Sequence, residues 1–200
     1  MVRKTLAVYY AVISHLDQQI GRILAALEET GQRDNTIIIF SSDHGLGVGS
    51  HGIRGKQNMY EHTINVPLIL SGPGIPADKR AQAQVCLRDL YPTVCELCGI
   101  EIPATVTGKS FAPVLRGQRD AIHPFVVGYF RDQQRMIRSD RWKLIVYPHL
   151  GRRQLFDLQN DPHELRNLSG EAKWRGVESL LHSHLKSWSV SVGDPVYATP

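Results

Sequence analysis

The chain reads as an α/β protein: part of a sheet with flanking helices, followed by a small antiparallel sheet and a C-terminal helix. Three observations predict this. Ile37-Ile38-Ile39-Phe40 is apolar on consecutive residues, the mark of a strand covered on both faces, as in a parallel sheet. Before it, Val12, Ile13, Leu16, Ile20, Ile23, Leu24 and Leu27 recur at three- and four-residue steps, which predicts a long amphipathic helix. After about Gly117 the texture changes to short strand-like runs with short links, which predicts hairpins.

The elements follow in order. The first helix stops at Gly31, after Glu28-Glu29-Thr30. Asp34-Asn35 makes a turn, and Thr36 to Ser41 is the first strand. Val66 to Leu70 is the second, with Pro67 near its start, where a missing N–H is tolerated, and Ser71-Gly72-Pro73-Gly74 as its closing turn. The two are expected to run parallel. A helix from about Leu87 to Cys98 ends at Gly99. Residues 1–117 are assigned to this first unit and 118–200 to the second.

In the second unit the strand candidates are Phe125 to Phe130, Arg135 to Ser139, Trp142 to Tyr147 and Gln154 to Leu158. Arg131-Asp132, Ser139-Asp140-Arg141 and Pro148 to Gly151 link them. Asp161-Pro162-His163-Glu164 carries a helix-start signature: Asp at the cap, Pro first, Glu three residues on. A last helix spans about Glu171 to Trp188 and carries Trp174, Val177, Leu180, Leu181, Leu185 and Trp188. From Val190 a loose tail is expected.

Two hundred residues with 42% hydrophobic and 21% charged side chains suit a globular protein able to bury a core. No apolar stretch reaches the ~20 residues of a membrane span. Leu6 to Ile13 is interrupted by Tyr9 and Tyr10 and lacks a small-residue cleavage site, so no secretory leader is predicted within it. The compartment stays open. The net charge of +4 mildly favours anionic partners. Lys and Arg are scattered, with no stripe interleaved with aromatics, so nucleic acid is not an expected partner. Cys95 and Cys98 form a C-x-x-C. Such a pair could be redox-active or a zinc half-site, but Val85, Leu90, Val94 and Leu97 surround it at helical spacing and no second C-x-x-C or ligand-spaced His pair follows, so buried small hydrophobes are expected instead; Cys86 makes the count odd.

The chemistry concentrates after the first strand, at Ser41-Ser42-Asp43-His44-Gly45. Open α/β sheets bind ligands beyond the carboxyl ends of their strands. There Asp43 and His44 are candidate ligands of one divalent cation: carboxylate oxygen suits Ca²⁺ or Mg²⁺, imidazole suits transition metals better. The plainer alternative is a polar turn that caps the following backbone. Gly47-Val48-Gly49-Ser50-His51-Gly52 has the G-x-G-x-x-G form, but Ile53-Arg54-Gly55-Lys56-Gln57-Asn58 follows without an apolar helical period. A mobile glycine loop is expected there, not a dinucleotide-binding turn. Lys56 is a candidate catalytic and substrate-binding residue: beside a metal it can offset charge growing on a leaving oxygen. Its plainer alternative is a solvated lysine. His51 and His62 flank it and either face substrate or serve ordinary packing roles; His51 is the candidate substrate contact. Asn167-Leu168-Ser169 is a glycosylation sequon.

As an ordered set, these residues resemble the type I sulfatases. The resemblance starts at Leu16-Asp17, Ile20-Gly21, Leu27-Glu28, Gly31 and Asp34-Asn35-Thr36, and continues through Ser41 to Gly45. Next come Gly49-Ser50-His51-Gly52, Gly55-Lys56, Tyr60-Glu61, Val66 to Ile69 and Ser71 to Ile75. Asp89-Leu90-Tyr91-Pro92-Thr93, Gly99-Ile100, Gly108 to Phe111 and Leu115-Arg116-Gly117 follow. Arg138 to Tyr147, Gln154 to Leu158, Asp161-Pro162, Glu164 and Asn167-Leu168 complete it. The resemblance implies an alkaline-phosphatase-like α/β core with a small C-terminal antiparallel subdomain. It implies sulfate ester hydrolysis at a divalent metal, usually Ca²⁺, with Asp43 and His44 as ligands; many members carry Asn at the His44 position. It implies that Lys56 binds the sulfate and supports the leaving group, and that the substrate is a sulfated small molecule or glycan.

The family nucleophile is a formylglycine made from Cys or Ser in C/S-x-P/A-x-R. Cys86-Leu87-Arg88-Asp89-Leu90 lacks both the Pro/Ala and the Arg; Cys95 and Cys98 fail likewise, and Ser71 to Ile75 lacks the Arg. No nucleophile is therefore assigned in this chain, and the formylglycine and the first pair of aspartate ligands are expected in an absent N-terminal half. Phosphonate or phosphate ester hydrolysis on the same scaffold is the near alternative. A non-catalytic remnant or binding module is the other. Without the absent half, the chain is expected to expose strand edges and apolar surface and to self-associate through them.

Overall fold

The computed structural model describes residues 2–198. Helix α1, Val2–Glu29, follows the apolar steps to their predicted end. Gly31 closes it with φ 67, and Gln32 N donates to Leu27 O, the way a left-handed glycine satisfies the last carbonyls. Its apolar face stays largely open: Val12 and Ile23 are 62% and 64% exposed.

Strand β1, Ile38–Ser41, pairs with β4, Leu68–Ser71, and the pair is antiparallel, with Phe40 opposite Ile69. The expected parallel arrangement is therefore corrected. A parallel pair needs a crossover packed on the sheet, usually a helix. Between β1 and β4 the chain offers only a hairpin and one helical turn, so it reverses instead. The hairpin is β2, Gly47–Val48, with β3, Arg54–Gly55, and the turn is α2, Glu61–Ile64. The expected cover on both faces is corrected too, because Phe40 and Ile69 are 40% and 60% exposed. The glycine loop expected there folds as a small hairpin: Gly52 N donates to Gly49 O and Gly49 N to Ile53 O. No helix opens on it.

A 3-10 turn, Leu87–Asp89, leads into α3, Leu90–Leu97, and α4, Ala112–Leu115, follows. Of the three cysteines only Cys95 is buried; Cys86 is half-buried and Cys98 is exposed just past the helix end. The expected burial of the Cys95/Cys98 pair holds at Cys95 and fails at Cys98, because α3 ends at Leu97 and the next turn faces solvent.

Strands β5, Val126–Phe130, β6, Gln134–Arg138, β7, Trp142–Tyr147, and β8, Arg152–Asp157, form one antiparallel sheet in sequence order. Side chains alternate faces along a strand, and here the alternation sorts both faces. Ile137, Leu144, Val146 and Leu155 pack under Leu181 and Leu185 of α5, Arg175–Ser191. Met136, Ile145 and Phe156 face the other way, onto Met59 and Tyr60 beside α2. Polar residues obey the same parity. Arg135 and Arg153 bond Asp194 and Glu178 on the α5 side, while Arg138, Lys143 and Gln154 reach Glu61 and Tyr60 on the other.

Two C-terminal expectations are corrected. Asp161 to Glu164 form a turn, not a helix start: Asp161 takes the N–H groups of Leu165 and Arg166, and Glu164 has φ 57. Its carboxylate points inward to Lys143 and is not free to cap. Nor does the chain loosen from Val190. Helix α5 runs to Ser191, α6 spans Pro195–Ala198, and buried Asp194 accepts Arg135 Nε and Nη2 at 2.6 and 2.7 Å. No helix among the described residues is long and apolar enough to cross a membrane.

Candidate functional site

The chain turns as soon as β1 ends. Ser42 Oγ donates to His44 O (2.8 Å), and Asp43 Oδ1 accepts the His44 N–H (3.0 Å). Gly45 N donates to Thr63 O (2.7 Å), laying the strand end against α2. A Cβ at Gly45 would run into the His62 carbonyl, so the close approach requires glycine.

His44 Nδ1 lies 2.9 Å from Gly45 O. A carbonyl only accepts, so Nδ1 carries the proton and Nε2 presents its lone pair. Lys56 Nζ donates to that lone pair at 2.6 Å, and Asp43 Oδ2 lies 3.3 Å from the same nitrogen. Asp43 is exposed and His44 half-buried. The structure thus brings Asp43, His44 and Lys56 together. An imidazole lone pair and a carboxylate oxygen converge, with a cation already hydrogen-bonded to one of them. The two donors, a carboxylate and an imidazole, could hold a divalent cation once Lys56 gives up the Nε2 lone pair.

His51 lies apart from this trio. Its ring stacks on Tyr60 (centroids 4.0 Å, planes 10° apart) and its Nε2 donates to Glu164 O at 3.2 Å. Its φ of 56 is left-handed, unusual for a residue with a side chain. His62 stacks against both rings, and burial first, then the neighbouring His51 and Lys143 charges, push its pKa down.

Behind these rings lies a charged cluster whose pairing is not evident from local sequence pattern. Lys143 Nζ donates to Glu61 Oε1 (2.9 Å) and Glu164 Oε1 (2.6 Å), and Arg138 Nε donates to Glu61 Oε1 (3.2 Å). Burial pushes the Glu61 carboxyl up, but Lys143 and Arg138 outweigh it and hold it below the usual carboxylate range. A signal was present: in Trp142-Lys143-Leu144-Ile145-Val146, one lysine interrupts an apolar strand, and a charge there must be paired.

Cys86, Asp89 and His123 also place potential ligand atoms near one another. The carboxylate is already satisfied. Asp89 Oδ2 accepts Cys86 N (2.7 Å) and bonds His123 Nε2 (2.9 Å), and Oδ1 accepts Lys109 N (2.9 Å). Burial, then the Asp89 charge, push the Cys86 thiol up, away from the thiolate a metal needs. The group caps the 3-10 turn Leu87–Asp89 that leads into α3 and ties down the segments around Lys109 and His123.

Residues 49–191 match the family model described as N-sulphoglucosamine sulphohydrolase, C-terminal. Bovine arylsulfatase K is 34% identical over 200 residues, covering 93% of this chain and 37% of its own length. A solved structure in complex with its substrate, D-glucosamine-2-N,6-O-disulfate, superposes with a TM-score of 0.86 at 30% identity, over 93% of this chain and 40% of that one. The phosphonate monoester hydrolase of Agrobacterium radiobacter superposes with a TM-score of 0.80 at 29% identity, over 92% and 41%. The chain therefore spans about two fifths of the length of the proteins it matches.

Proposed function

The chain belongs to the N-sulphoglucosamine sulphohydrolase C-terminal family, a sulfatase family, and from that premise we propose that it is the C-terminal part of a metal-dependent sulfate ester hydrolase. The observation that carries the reading is the contact of Lys56 Nζ with His44 Nε2 at 2.6 Å, beside Asp43 at the end of β1. Asp43 and His44 would contribute a carboxylate and an imidazole to a divalent cation, Ca²⁺ before Mg²⁺ because a carboxylate is a hard donor. Bound there, the cation would supply a Lewis acid for anionic ester oxygens.

The chain's own groups do the rest of what is proposed here. The Gly45–Thr63 bond holds the strand end against α2 and so fixes where Asp43 and His44 stand. The Gly45 carbonyl keeps the proton on His44 Nδ1. Lys56 keeps a positive charge at that place, where it can bind an anionic oxygen and offset charge on the departing one. His51, held by Tyr60 and Glu164, is a substrate contact in this reading. The nucleophile, a formylglycine, is supplied outside these residues. Residues 1–117 belong to the catalytic α/β unit and 118–200 to the C-terminal subdomain. The substrate class is a sulfated sugar or another sulfate ester, in line with the disulfated glucosamine bound by a relative.

The phosphonate monoester hydrolase among the structural neighbours favours a second reading on the same scaffold. Parallel assays decide. The chain is joined to an N-terminal sulfatase part carrying C/S-x-P/A-x-R and given aryl sulfate and aryl phosphonate. Sulfate turnover that disappears on Asp43→Ala is expected. Preferential phosphonate turnover selects the second reading, and turnover of neither selects a non-catalytic binding module. Self-association through the open faces of α1 and the β1–β4 pair is also part of the proposal. A sedimentation coefficient independent of concentration would reject it.

A further inference from the structure

The stretch between His51 and Thr63 carries backbone strain and unmet hydrogen bonding. His51 holds a left-handed φ, which a side-chain-bearing residue keeps only when its surroundings hold it there. Asn58 Nδ2, His62 Nε2 and Thr63 Oγ1 are buried without a hydrogen-bond partner among the described residues. Lys56, the proposed active-site cation, lies within this stretch and is itself exposed. The β2–β3 hairpin and His44 Nε2 hold Lys56 from one side; the C-terminal sheet holds the stretch from the other.

The C-terminal sheet reaches this stretch through charge. Lys143 is fully buried on β7, on the face that looks toward Tyr60. It holds Glu61 and Glu164 at once, and Glu164 Oε2 accepts the Glu61 backbone N–H at 2.7 Å. Arg138 completes a cluster of two cations and two carboxylates, neutral as a whole. Glu164 adds a second grip, because its carbonyl accepts from His51 Nε2. Met59 and Tyr60 already supply apolar contact with the sheet. A buried ion cluster adds little net stability over an apolar replacement of the same shape. It adds direction: one carboxylate fixes a backbone amide, and one carbonyl fixes a ring.

We propose that Lys143 and Glu164 are positioning residues that hold the His51–Glu61 stretch, and with it Lys56, in its working geometry from the C-terminal sheet. The proposal rests on the reading of Lys56 as an active-site residue. Neither side chain contacts Asp43, His44 or Lys56 among the described interactions, so both act through Glu61 and His51.

Hydrogen exchange on the chain itself tests the mechanical half without substrate. In Lys143→Met, and in Glu164→Gln as the milder variant, exchange of the peptide covering 49–61 should rise at least tenfold. Peptides from β8 and α5 should stay as protected as in the wild type. Lys143→Met/Glu164→Gln, which leaves Glu61 paired with Arg138, should recover part of the protection lost in Lys143→Met. Unchanged exchange over 49–61, or loss spread evenly across the sheet, would overturn the proposal; even loss is what a merely structural role gives. In the assembled enzyme, Lys143→Met should copy the leaving-group dependence of Lys56→Ala, whereas an equal drop for every ester would overturn the link to Lys56. If the wild type turns over no sulfate ester while the exchange result holds, the functional reading fails and the mechanical one stands.

Discussion

Lys56 and His44 meet at 2.6 Å although one follows β3 and the other follows β1. The β2–β3 hairpin folds the chain back over the strand end, and Gly45 keeps that end against α2. Three residues that the sequence scatters over a loop become one polar group with two acceptors and a cation.

That group offers two protein ligands, against the roughly six to eight oxygens that Ca²⁺ prefers. Calorimetric titration of the chain with Ca²⁺ is expected to show no saturable binding in the micromolar range, and Asp43→Ala should leave the trace unchanged. Tight binding that is lost on Asp43→Ala would mean that these residues form a far more complete site than their donor count allows.

Lys56→Ala, in an enzyme assembled around this chain, should slow hydrolysis of aryl sulfates with poor leaving groups by roughly 10²–10³-fold. Activated esters should be almost unaffected, since only a poor leaving group needs its growing charge offset. The slope of rate against leaving-group pKa measures this. Parallel lines for wild type and variant would remove Lys56 from that role.

The C-terminal anchor gives a pH dependence. Hydrogen bonds from Arg135 outweigh burial and hold the Asp194 carboxyl at about 2. Its folded-state value is thus depressed below the ordinary ~3.9 of aspartate, so its stabilisation is present above that value and is lost as pH falls through about 2. The shift corresponds to roughly 2–3 kcal/mol in all. At neutral pH, Asp194→Asn should cost roughly 3–5 kcal/mol, because Arg135 loses its buried partner. Urea unfolding of both proteins should show that gap narrow by about 2 kcal/mol between pH ~5 and ~2. A gap that is constant with pH would mean that the pair carries no charge-dependent stability.

Two glycines should respond oppositely to alanine. At Gly45 the new methyl meets the His62 backbone carbonyl, which cannot swing aside, so a loss of at least about 1–3 kcal/mol is expected. At Gly21, inside α1, nothing lies within 4 Å of the added Cβ, and alanine should stabilise the helix by about 0.5–1 kcal/mol. Thermal melts of the two single variants check the pair. A neutral Gly45→Ala would mean that β1 and α2 are not in register as described.

Residues whose neighbours in sequence set their conformation were legible without a structure. The apolar steps from Val12 to Leu27 and Gly31 defined α1, and Gly99 closed α3 where expected. Trp142 to Tyr147 and its partner strands were recognisable because alternation and short links are local properties. Asp43, His44 and Lys56 could be singled out because each stands after a strand or glycine loop. Pairing across distance was not legible. The consecutive isoleucines of β1 suit a parallel or an antiparallel neighbour equally; the connection to β4 decided between them by folding into a hairpin and one helical turn instead of a crossover helix. Asp161-Pro162-His163-Glu164 carries every local mark of a helix start, yet Glu164 is drawn inward by Lys143, twenty-one residues away in sequence. Asp194 looked like part of a tail until Arg135 reached it across fifty-nine positions. By itself the sequence determined the helices α1, α3 and α5, the four-stranded meander and the residue types of the site, because backbone propensity and side-chain period act over a few residues. Only the tertiary structure decided the β1–β4 orientation, the Lys56–His44 contact and the Lys143 cluster, because a buried charge takes whichever opposite charge the fold brings within hydrogen-bonding reach.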